Sequence, residues 1–199
     1  MTNLFYDVEF IDDGYSIEPI SFAMVSEDER LAPLYWVTNS KVTQSRMLAH
    51  PWLRENVLPS LPFYIDNETG RNLICTDYLH PNTGAIGDTD VLAEMIEDFV
   101  LSAESPHLWA DCGAYDHVLM SQLFGPMINL PDGMPMHTND FRTLLLLTSA
   151  KDDEIPPFRP NERSEHNALF DALELRHRFN WLRQNNSYAY AFDYIGRHA

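Results

Sequence analysis

The chain has 199 residues, of which 45% are hydrophobic, and this supports one substantial domain over residues 1–199. There is no stretch of about 18 apolar residues and no basic start with an apolar leader, and Cys75 and Cys112 lack metal or redox spacing, so we expect a cytoplasmic protein without a membrane span. A formal net charge of −17, from 30 acidic residues against 13 Lys and Arg, argues against a broad basic surface for nucleic acid, although bound cations can reverse the charge of a small site.

The first predicted element is a buried strand in the apolar run LFYDVEFI. Because strand side chains alternate between faces, Asp7 and Glu9 should point to the same side, roughly 6 to 7 Å apart. Two ionised carboxylates so placed repel each other and lose hydration unless a cation joins them, and Mg²⁺ prefers oxygen ligands. The pair therefore predicts a Mg²⁺ or Mn²⁺ site, with a solvated strand face as the alternative.

The next segments are predicted to be scaffold. The runs IEPISFAMVS and APLYWVTN predict two strands that continue an antiparallel meander through the charged turn SEDER. Residues 43–58 predict a helix that ends at prolines, and the stretch 61–87, rich in Pro, Asn, Gly and Thr, predicts an irregular connection. Asp88 or Thr89 can cap the following helix, whose apolar residues form one stripe facing a core.

The middle of the chain, HLWADCGAYDHVLMSQLFG, predicts a short strand over residues 107–110, a turn at Gly113 and a helix over residues 114–124. Asp116 would then lie in the first turn of that helix. It either favours the positive end of the helix dipole or reaches into a site at the carboxyl end of the strand. Asp111, at the end of the strand, is the rival candidate.

The last predicted helix, ALFDALELRHRFNWLRQ, carries Asp171, and His166 precedes it on a loop or first turn. A histidine five residues before a carboxylate can face the same cavity without binding the same metal. Because histidine titrates near neutral pH, His166 can accept a proton from water. The alternative is a surface histidine that caps the helix.

Several arginines lie toward the end of the chain, at Arg159, Arg163, Arg176, Arg178 and Arg183. They form either a positive rim around this segment or ordinary helix-surface pairs with Glu165 and Glu174.

Three of these segments, those that carry Asp7 and Glu9, Asp116, and His166 and Asp171, together resemble a known family, the DEDDh branch of the RNase H-like 3′-to-5′ exonucleases. The family's first motif is Asp-x-Glu, which Asp7 and Glu9 match. Its second motif is Asn, two residues, an aromatic residue and Asp, and Cys112-Gly-Ala-Tyr115-Asp116 fits in register. Cys112 departs from the pattern because it stands where many relatives have Asn.

The third motif of the family, His-x4-Asp, is matched by His166 and Asp171. The sister DEDDy branch would need Tyr where this chain has Asn167, so the histidine branch is the one resembled. The segments FYDVEFIDDG and AYDHVLMSQLFGPMINLPDGMP are similar to the small bacterial polyadenylate-specific 3′-exoribonuclease group.

The resemblance implies an α/β fold of the RNase H-like type, in which helices flank a mixed sheet with an antiparallel meander and parallel strands. It also implies that Asp7, Glu9, Asp116 and Asp171 hold two Mg²⁺ or Mn²⁺ ions about 3.5 to 4 Å apart, and that His166 is the general base. The implied reaction removes nucleoside monophosphates from single-stranded or overhanging RNA 3′ ends. A DNA exonuclease of the same fold and a non-catalytic acidic mimic of nucleic acid remain alternatives.

Two apolar segments allow a functional and a structural interpretation. Phe10 and Ile11 either stack against a terminal base or belong to the core, and we favour the core. The run from Leu144 to Leu147 is either part of a homodimer face, which the resemblance makes plausible, or interior, and we favour the interior.

Overall fold

A computed structural model of the chain describes residues 1–66, 73–75, 84–158, 165–185, 188 and 192. The strands are β1 (Thr2–Asp12), β2 (Ile17–Ser26), β3 (Leu34–Thr38), β4 (Phe63–Ile65), β5 (Leu73–Cys75), β6 (Gly84–Gly87), β7 (Pro106–Ala110) and β8 (Asn139–Asp140). The helices are α1 (Lys41–Ala49), α2 (Pro51–Asn56), α3 (Thr89–Leu101), α4 (Ala114–Gln122), α5 (Phe141–Thr148) and α6 (Ala168–Gln184).

A six-stranded mixed sheet forms the centre of the fold, in the order β6-β3-β2-β1-β7-β8. The strands β1, β2 and β3 pair antiparallel, whereas β6, β7 and β8 each pair parallel with their neighbours. The predicted α/β fold, with an antiparallel meander, added parallel strands and flanking helices, is confirmed. The strands β4 and β5 form a separate antiparallel pair.

Strand β1 lies in the middle of the sheet, and helices cover both of its faces. Val8 belongs to the apolar cluster that packs on α3 and α4, whereas Phe5 belongs to the cluster that packs on α6. The rings of Phe5 and Phe179 of α6 lie 5.1 Å apart, edge to face. Because side chains alternate, Asp7 and Glu9 share the face of Phe5 and therefore look toward α6.

The predicted helix over residues 43–58 is two helices. Helix α1 ends at Ala49, because Pro51 has no N–H for an intrahelical hydrogen bond. The ring of His50 caps α2 by accepting a hydrogen bond from the N–H of Leu53 at 3.4 Å. A short 3₁₀ turn over Leu58–Ser60 then completes the segment.

The prediction of an irregular connection over residues 61–87 is wrong where the structure describes this stretch, because β4, β5 and β6 lie within it. Strand β6 is only four residues long, GAIG, and its two glycines conceal the alternation that identifies a strand. It is nevertheless paired, since Trp36 of β3 lies opposite Ala85 in parallel register. Pairing with the neighbouring strand, and not its own composition, makes a short edge segment of this kind adopt a strand conformation.

The leucine run of α5 is both interior and surface. Leu144 and Leu145 are buried, whereas Leu146 and Leu147 are exposed. The helix is capped by Asp140, whose carboxylate accepts a hydrogen bond from the N–H of Thr143 at 2.9 Å. Across the described part of the chain, no helix combines the length and the apolar character needed to cross a membrane.

Candidate metal centre

All five residues singled out from the three motifs line one cavity of about 540 Å³. Its wall includes Asp7 and Glu9 from β1, Asp116 from α4, Asp171 from α6, and His166 from the segment before α6. Residues separated by more than 150 positions thus face one space. The convergence predicted from the sequence is present in the fold.

Three of these carboxylates approach one another closely. One oxygen each of Asp7, Glu9 and Asp171 lies within 4.8 Å of the other two, and all three residues are half-buried. Asp171 lies in the first turn of α6, where the helix dipole favours negative charge. Three convergent carboxylate oxygens are a donor set that suits a hard divalent cation such as Mg²⁺ or Mn²⁺.

Asp116 enters the same cavity from the other side of β1. Strand β7 ends at Ala110, so β1 has no backbone partner on that side at Val8, and Asp116 Oδ1 accepts the N–H of Val8 at 3.1 Å. Burial raises the pKa of Asp116 to about 6, and the negative charge of Asp111 acts in the same direction. The hydrogen bonds from the backbone N–H groups of Asp116 and Val8 act to lower this pKa, but burial outweighs them. A bound cation would offset this unfavourable burial of negative charge.

Asp111, the rival to Asp116, is engaged by two arginines. Its Oδ1 lies 2.6 Å from Nε of Arg142, and its Oδ2 lies 2.8 Å from Nη2 of Arg142 and 3.2 Å from Nη1 of Arg178. Neither Asp111 nor Asp116 belongs to the group of close carboxylate oxygens, so the two acids differ in their partners and not in that group. This geometry favours Asp116 as the acid of the second motif.

His166 faces the cavity from a strained backbone position. Its φ of 57° lies in the left-handed region, which histidine adopts more readily than most residues. The hydroxyl of Ser60 donates to the carbonyl oxygen of His166 at 2.5 Å, and the indole of Trp52 lies edge-on to the imidazole with centroids 5.0 Å apart. These contacts fix the backbone and the ring of His166 at the wall of the cavity.

Comparison with known proteins agrees with this geometry. The family model described as the 3′-5′ exoribonuclease Rv2179c-like domain matches residues 2–183. The chain belongs to the Rv2179c-like 3′-5′ exoribonuclease domain family. A relative from Mycobacterium tuberculosis (strain ATCC 25618 / H37Rv), named 3′-5′ exoribonuclease Rv2179c, is 34% identical over 177 residues, covering 88% of this chain and 89% of the relative. A second relative, from strain CDC 1551 / Oshkosh, has the same identity and coverage.

The fold is also similar to part of exonuclease I, of which this chain spans less than half. One similar structure is that of exonuclease I, described as suggesting how processivity is achieved. Its TM-score is 0.58 at 13% identity, and the match covers 99% of this chain and 43% of that chain. The metal-free E. coli ExoI–ssDNA complex has a TM-score of 0.53 at 13% identity, with 99% and 42% covered. The family and the RNase H-like fold predicted from the motifs are confirmed.

In this member of the Rv2179c-like family, Asn167 holds the third motif together. Its side-chain oxygen caps α6 by accepting the N–H groups of Leu169 and Phe170 at 3.1 and 3.2 Å. Its side-chain nitrogen donates to the carbonyl of Ser60 at 2.9 Å and lies 3.4 Å from the hydroxyl of Tyr35. The helix therefore begins directly after His166, which sets the direction of Asp171 in the first turn.

The second motif departs from the family pattern at Cys112 but keeps a tight turn. Cys112 has a φ of 58° and is exposed at the wall of the cavity. The N–H of Gly113 donates to Asp140 at 3.1 Å, and a Cβ at Gly113 would lie 2.5 Å from the Cβ of Ala110. The turn predicted at Gly113 thus needs a residue without a side chain.

The two residues after the first motif have different environments. Ile11 is buried in the core, as expected, whereas Phe10 is half-buried at the cavity wall. The ring of Phe10 stacks on that of Tyr115, with centroids 5.8 Å apart. The expectation of core burial is therefore correct for Ile11 and correct in part for Phe10, which packs against the apolar cluster of Val8 and also lines the cavity.

Of the predicted arginines that the structure describes, one lies at the cavity. Arg178 lines the cavity, whereas Arg176 lies 3.7 Å from Glu29 and Arg183 lies 2.9 Å from Glu27. Arg159 and Arg163 lie outside the described residues.

Arg142, which the sequence analysis did not identify, also lines the cavity. Its sequence neighbourhood contains no motif, and its role depends on which elements meet around it.

Proposed function

We propose that this protein is a divalent-metal-dependent 3′-to-5′ exoribonuclease that releases nucleoside monophosphates from RNA 3′ ends. The observation that carries the proposal is the approach of the Asp7, Glu9 and Asp171 oxygens to within 4.8 Å of one another, in a cavity that Asp116 and His166 also line. The family match and the name of the 34% identical relative support the reaction class.

Asp7, Glu9, Asp116 and Asp171 would hold two Mg²⁺ or Mn²⁺ ions in this proposal. Such ions stabilise the negative charge that develops on the phosphodiester oxygens during hydrolysis. The four carboxylates come from three elements, β1, α4 and α6, so the intact fold is needed to bring them together. Carboxylates held in this way are preorganised for cations, so little further conformational entropy is lost when the substrate binds.

His166 is the proposed general base. Its imidazole accepts a proton from water, the water oxygen forms a bond to phosphorus, and the bond from phosphorus to the 3′ oxygen of the shortened strand breaks. The leaving 3′ oxygen takes a proton from solvent, and the imidazolium returns its proton to solvent. The products are a nucleoside 5′-monophosphate and a strand with a free 3′ hydroxyl. Trp52 and Ser60 hold the histidine for this transfer.

The proposed substrate is single-stranded RNA or an RNA overhang. A net charge of −17 fits an enzyme that binds a short strand end and has a small footprint, since broad nucleic-acid surfaces are basic. We also propose that residues 1–199 act as a single domain and that the protein forms a homodimer. The exposed Leu146 and Leu147 of α5 are consistent with a dimer face.

A digestion experiment tests the proposal. Purified protein is incubated with 5′-labelled single-stranded RNA, single-stranded DNA and an RNA duplex with a 3′ overhang, each with Mg²⁺, Mn²⁺ or a chelator. We expect stepwise release of monophosphates from RNA that stops with the chelator and in Asp7→Asn. The matched control Asp90→Asn changes an exposed acid of α3 and should cleave like the wild type. Inert RNA in every condition would favour the acidic mimic, and faster cleavage of DNA would favour a DNA exonuclease.

A further inference from the structure

Two arginines give the acidic cavity most of its fixed positive charge. Among the described residues that line it, Arg142 and Arg178 carry guanidinium groups and His166 is the remaining basic side chain, whereas the carboxylates include those of the three motifs. A substrate phosphate that enters this cavity therefore meets protein cations at these two positions. Guanidinium groups bind phosphate through paired N–H donors.

The two arginines share the same acidic partners but differ in exposure. Both contact Asp111 and Asp152, with Nη1 of Arg142 at 2.6 Å from Asp152 and Nη2 of Arg178 also bound to it. The side chain of Arg178 is 14% exposed, and its guanidinium lies 4.8 Å from the ring centroid of Phe141. The side chain of Arg142 is 42% exposed. Arg178 is therefore mainly buried against Phe141, whereas nearly half of the Arg142 side chain is accessible to a ligand.

The contacts of Arg142 leave donor capacity. Nη1 donates a hydrogen bond to Asp152 and Nη2 donates one to Asp111, so each terminal nitrogen uses one of its two N–H groups, while Nε lies 2.6 Å from Asp111. The remaining two are on Nη1 and Nη2, the pair of nitrogens that forms the end of the side chain. Two carboxylates thus fix the orientation of the group while its terminal edge keeps hydrogens for another acceptor.

We infer that Arg142 is a phosphate-binding residue of the cavity, and that Asp111 and Asp152 are positioning residues that orient its guanidinium. The inference rests on the proposed function, because the phosphate belongs to the bound RNA strand. It also gives Asp111 a function other than metal binding, since its carboxylate orients the guanidinium of Arg142 toward the substrate phosphate.

Equilibrium binding tests the inference. Fluorescence anisotropy with labelled single-stranded RNA is measured in Mg²⁺ across a salt series, in a His166→Asn background that slows cleavage. We expect Arg142→Gln to bind RNA about 10- to 100-fold more weakly and to reduce the slope of log affinity against log salt by about 0.7, the value for one lost phosphate contact on a single strand. Arg142→Lys should keep most of that slope. Affinity and slope equal to those of the parent would overturn the inference.

Two further variants separate a contact from a general change in charge. Arg30→Gln removes an exposed arginine that pairs with Asp28 away from the cavity, and it should bind like the parent. The double variant Arg142→Gln/Asp152→Asn restores the net charge without restoring the guanidinium. Weak binding in the double variant supports a direct contact, whereas recovery to parental affinity overturns it. The double variant also removes a carboxylate that has lost one of its two arginine partners, so it serves if Arg142→Gln is too unstable to purify.

The length of the strand identifies which phosphate is bound. Weaker binding of both a dinucleotide and a trinucleotide places the contact on the cleaved phosphate, whereas weaker binding of the trinucleotide alone places it on the neighbouring one, and both results support the inference. If the wild type cleaves RNA while Arg142→Gln binds like Arg30→Gln, the inference fails and the proposed function stands. If RNA binding depends on Arg142 without metal-dependent cleavage, the proposed function fails and the phosphate contact stands.

Discussion

The indole of Trp52 lies edge-on against the imidazole of His166, with ring centroids 5.0 Å apart and planes inclined at 72°. This contact joins α2 to the segment before α6. Trp52 is 48% exposed, so its contribution to the core is limited and its contact with the proposed base is its more specific interaction.

Trp52→Ala should therefore lower kcat by about 3- to 10-fold, because a mobile imidazole spends less time in the reactive position. KM should stay near the wild-type value, and Trp52→Phe should restore most of the rate. Steady-state kinetics on single-stranded RNA measures both constants. A rise in KM at constant kcat would instead assign Trp52 to substrate binding.

Replacing His166 should remove catalysis while leaving metal binding intact. His166→Asn is the preferred substitution, because asparagine tolerates the left-handed φ of 57° that alanine resists. We expect turnover to fall by about 10² to 10⁴. The increase in Tm on adding Mn²⁺, measured by thermal unfolding, should match that of the wild type, since His166 is not a proposed ligand. Unchanged turnover would refute the general-base assignment.

Asp116→Asn should stabilise the metal-free protein and abolish activity. Asparagine keeps the Oδ1 acceptor for the N–H of Val8 but removes a carboxylate whose pKa is raised to about 6 by burial. A raised carboxyl pKa means that stability is present below the unfolded value of 3.8 and is lost as pH rises through about 6. In EDTA at pH 8 the variant should therefore gain free energy of unfolding on the order of 3 kcal/mol.

The same substitution should reduce the Mn²⁺-dependent rise in Tm, because a proposed ligand is lost. At pH 5 the advantage of the variant in EDTA should shrink, since the wild-type carboxyl is then largely protonated. Thermal unfolding of both proteins at pH 5 and 8, with and without Mn²⁺, measures these differences. A wild type more stable than the variant in EDTA at pH 8 would contradict the account of Asp116.

A network at the other end of the sheet predicts acid sensitivity. Glu27 accepts the backbone N–H and the side-chain amide of Asn3 at 2.9 and 3.0 Å, and Arg183 at 2.9 Å. Burial acts to raise the pKa of Glu27, but the hydrogen bonds from Asn3 and Arg183 together lower it. Asn3 in turn accepts the indole N–H of Trp109 at 2.9 Å, so the network connects β1, β7 and α6.

Because its pKa is lowered in the folded protein, Glu27 contributes stability above its ordinary value of 4.5 and loses it as pH falls through the lowered value. Glu27→Gln should be less stable than the wild type at pH 7, and the difference should narrow as pH falls below about 4.5. Urea denaturation between pH 3 and 7 measures it, with the exposed Glu55→Gln as the control. A difference that does not change with pH would contradict the role of the charge.

The three motifs could be located from the sequence because each depends on local order. Alternation along β1 places Asp7 and Glu9 on one face, and the capping residue before ALFDAL places Asp171 in a first helical turn. These features involve neighbours in the chain. The elements that carry the proposed site were therefore predicted correctly, whereas β6 was missed because its pairing partner, rather than its own composition, makes it a strand.

The contacts around the motifs could not be predicted in this way. Ser60 and His166 are 106 positions apart, and Arg142 and Asp111 are 31 apart, yet each pair forms a hydrogen bond. No periodicity relates such residues. Arg142 lies at the cavity because β8 pairs with β7 and α5 begins directly after β8, and this pairing is a property of the whole fold.

Short-range periodicity by itself determined that Asp7 and Glu9 share a strand face and that Asp116 and Asp171 lie on helices, since these features depend on the covalent order of neighbours, whereas the resemblance to the DEDDh family assigned these acids and His166 to its motifs. The tertiary structure decided that Asp116 fills the gap beside Val8, that Asp111 is held by two arginines, and that Phe10 stays at the cavity wall. The physical reason is that hydrogen bonds, ion pairs and burial depend on distances in space, and these are set by the packing of the sheet and helices together.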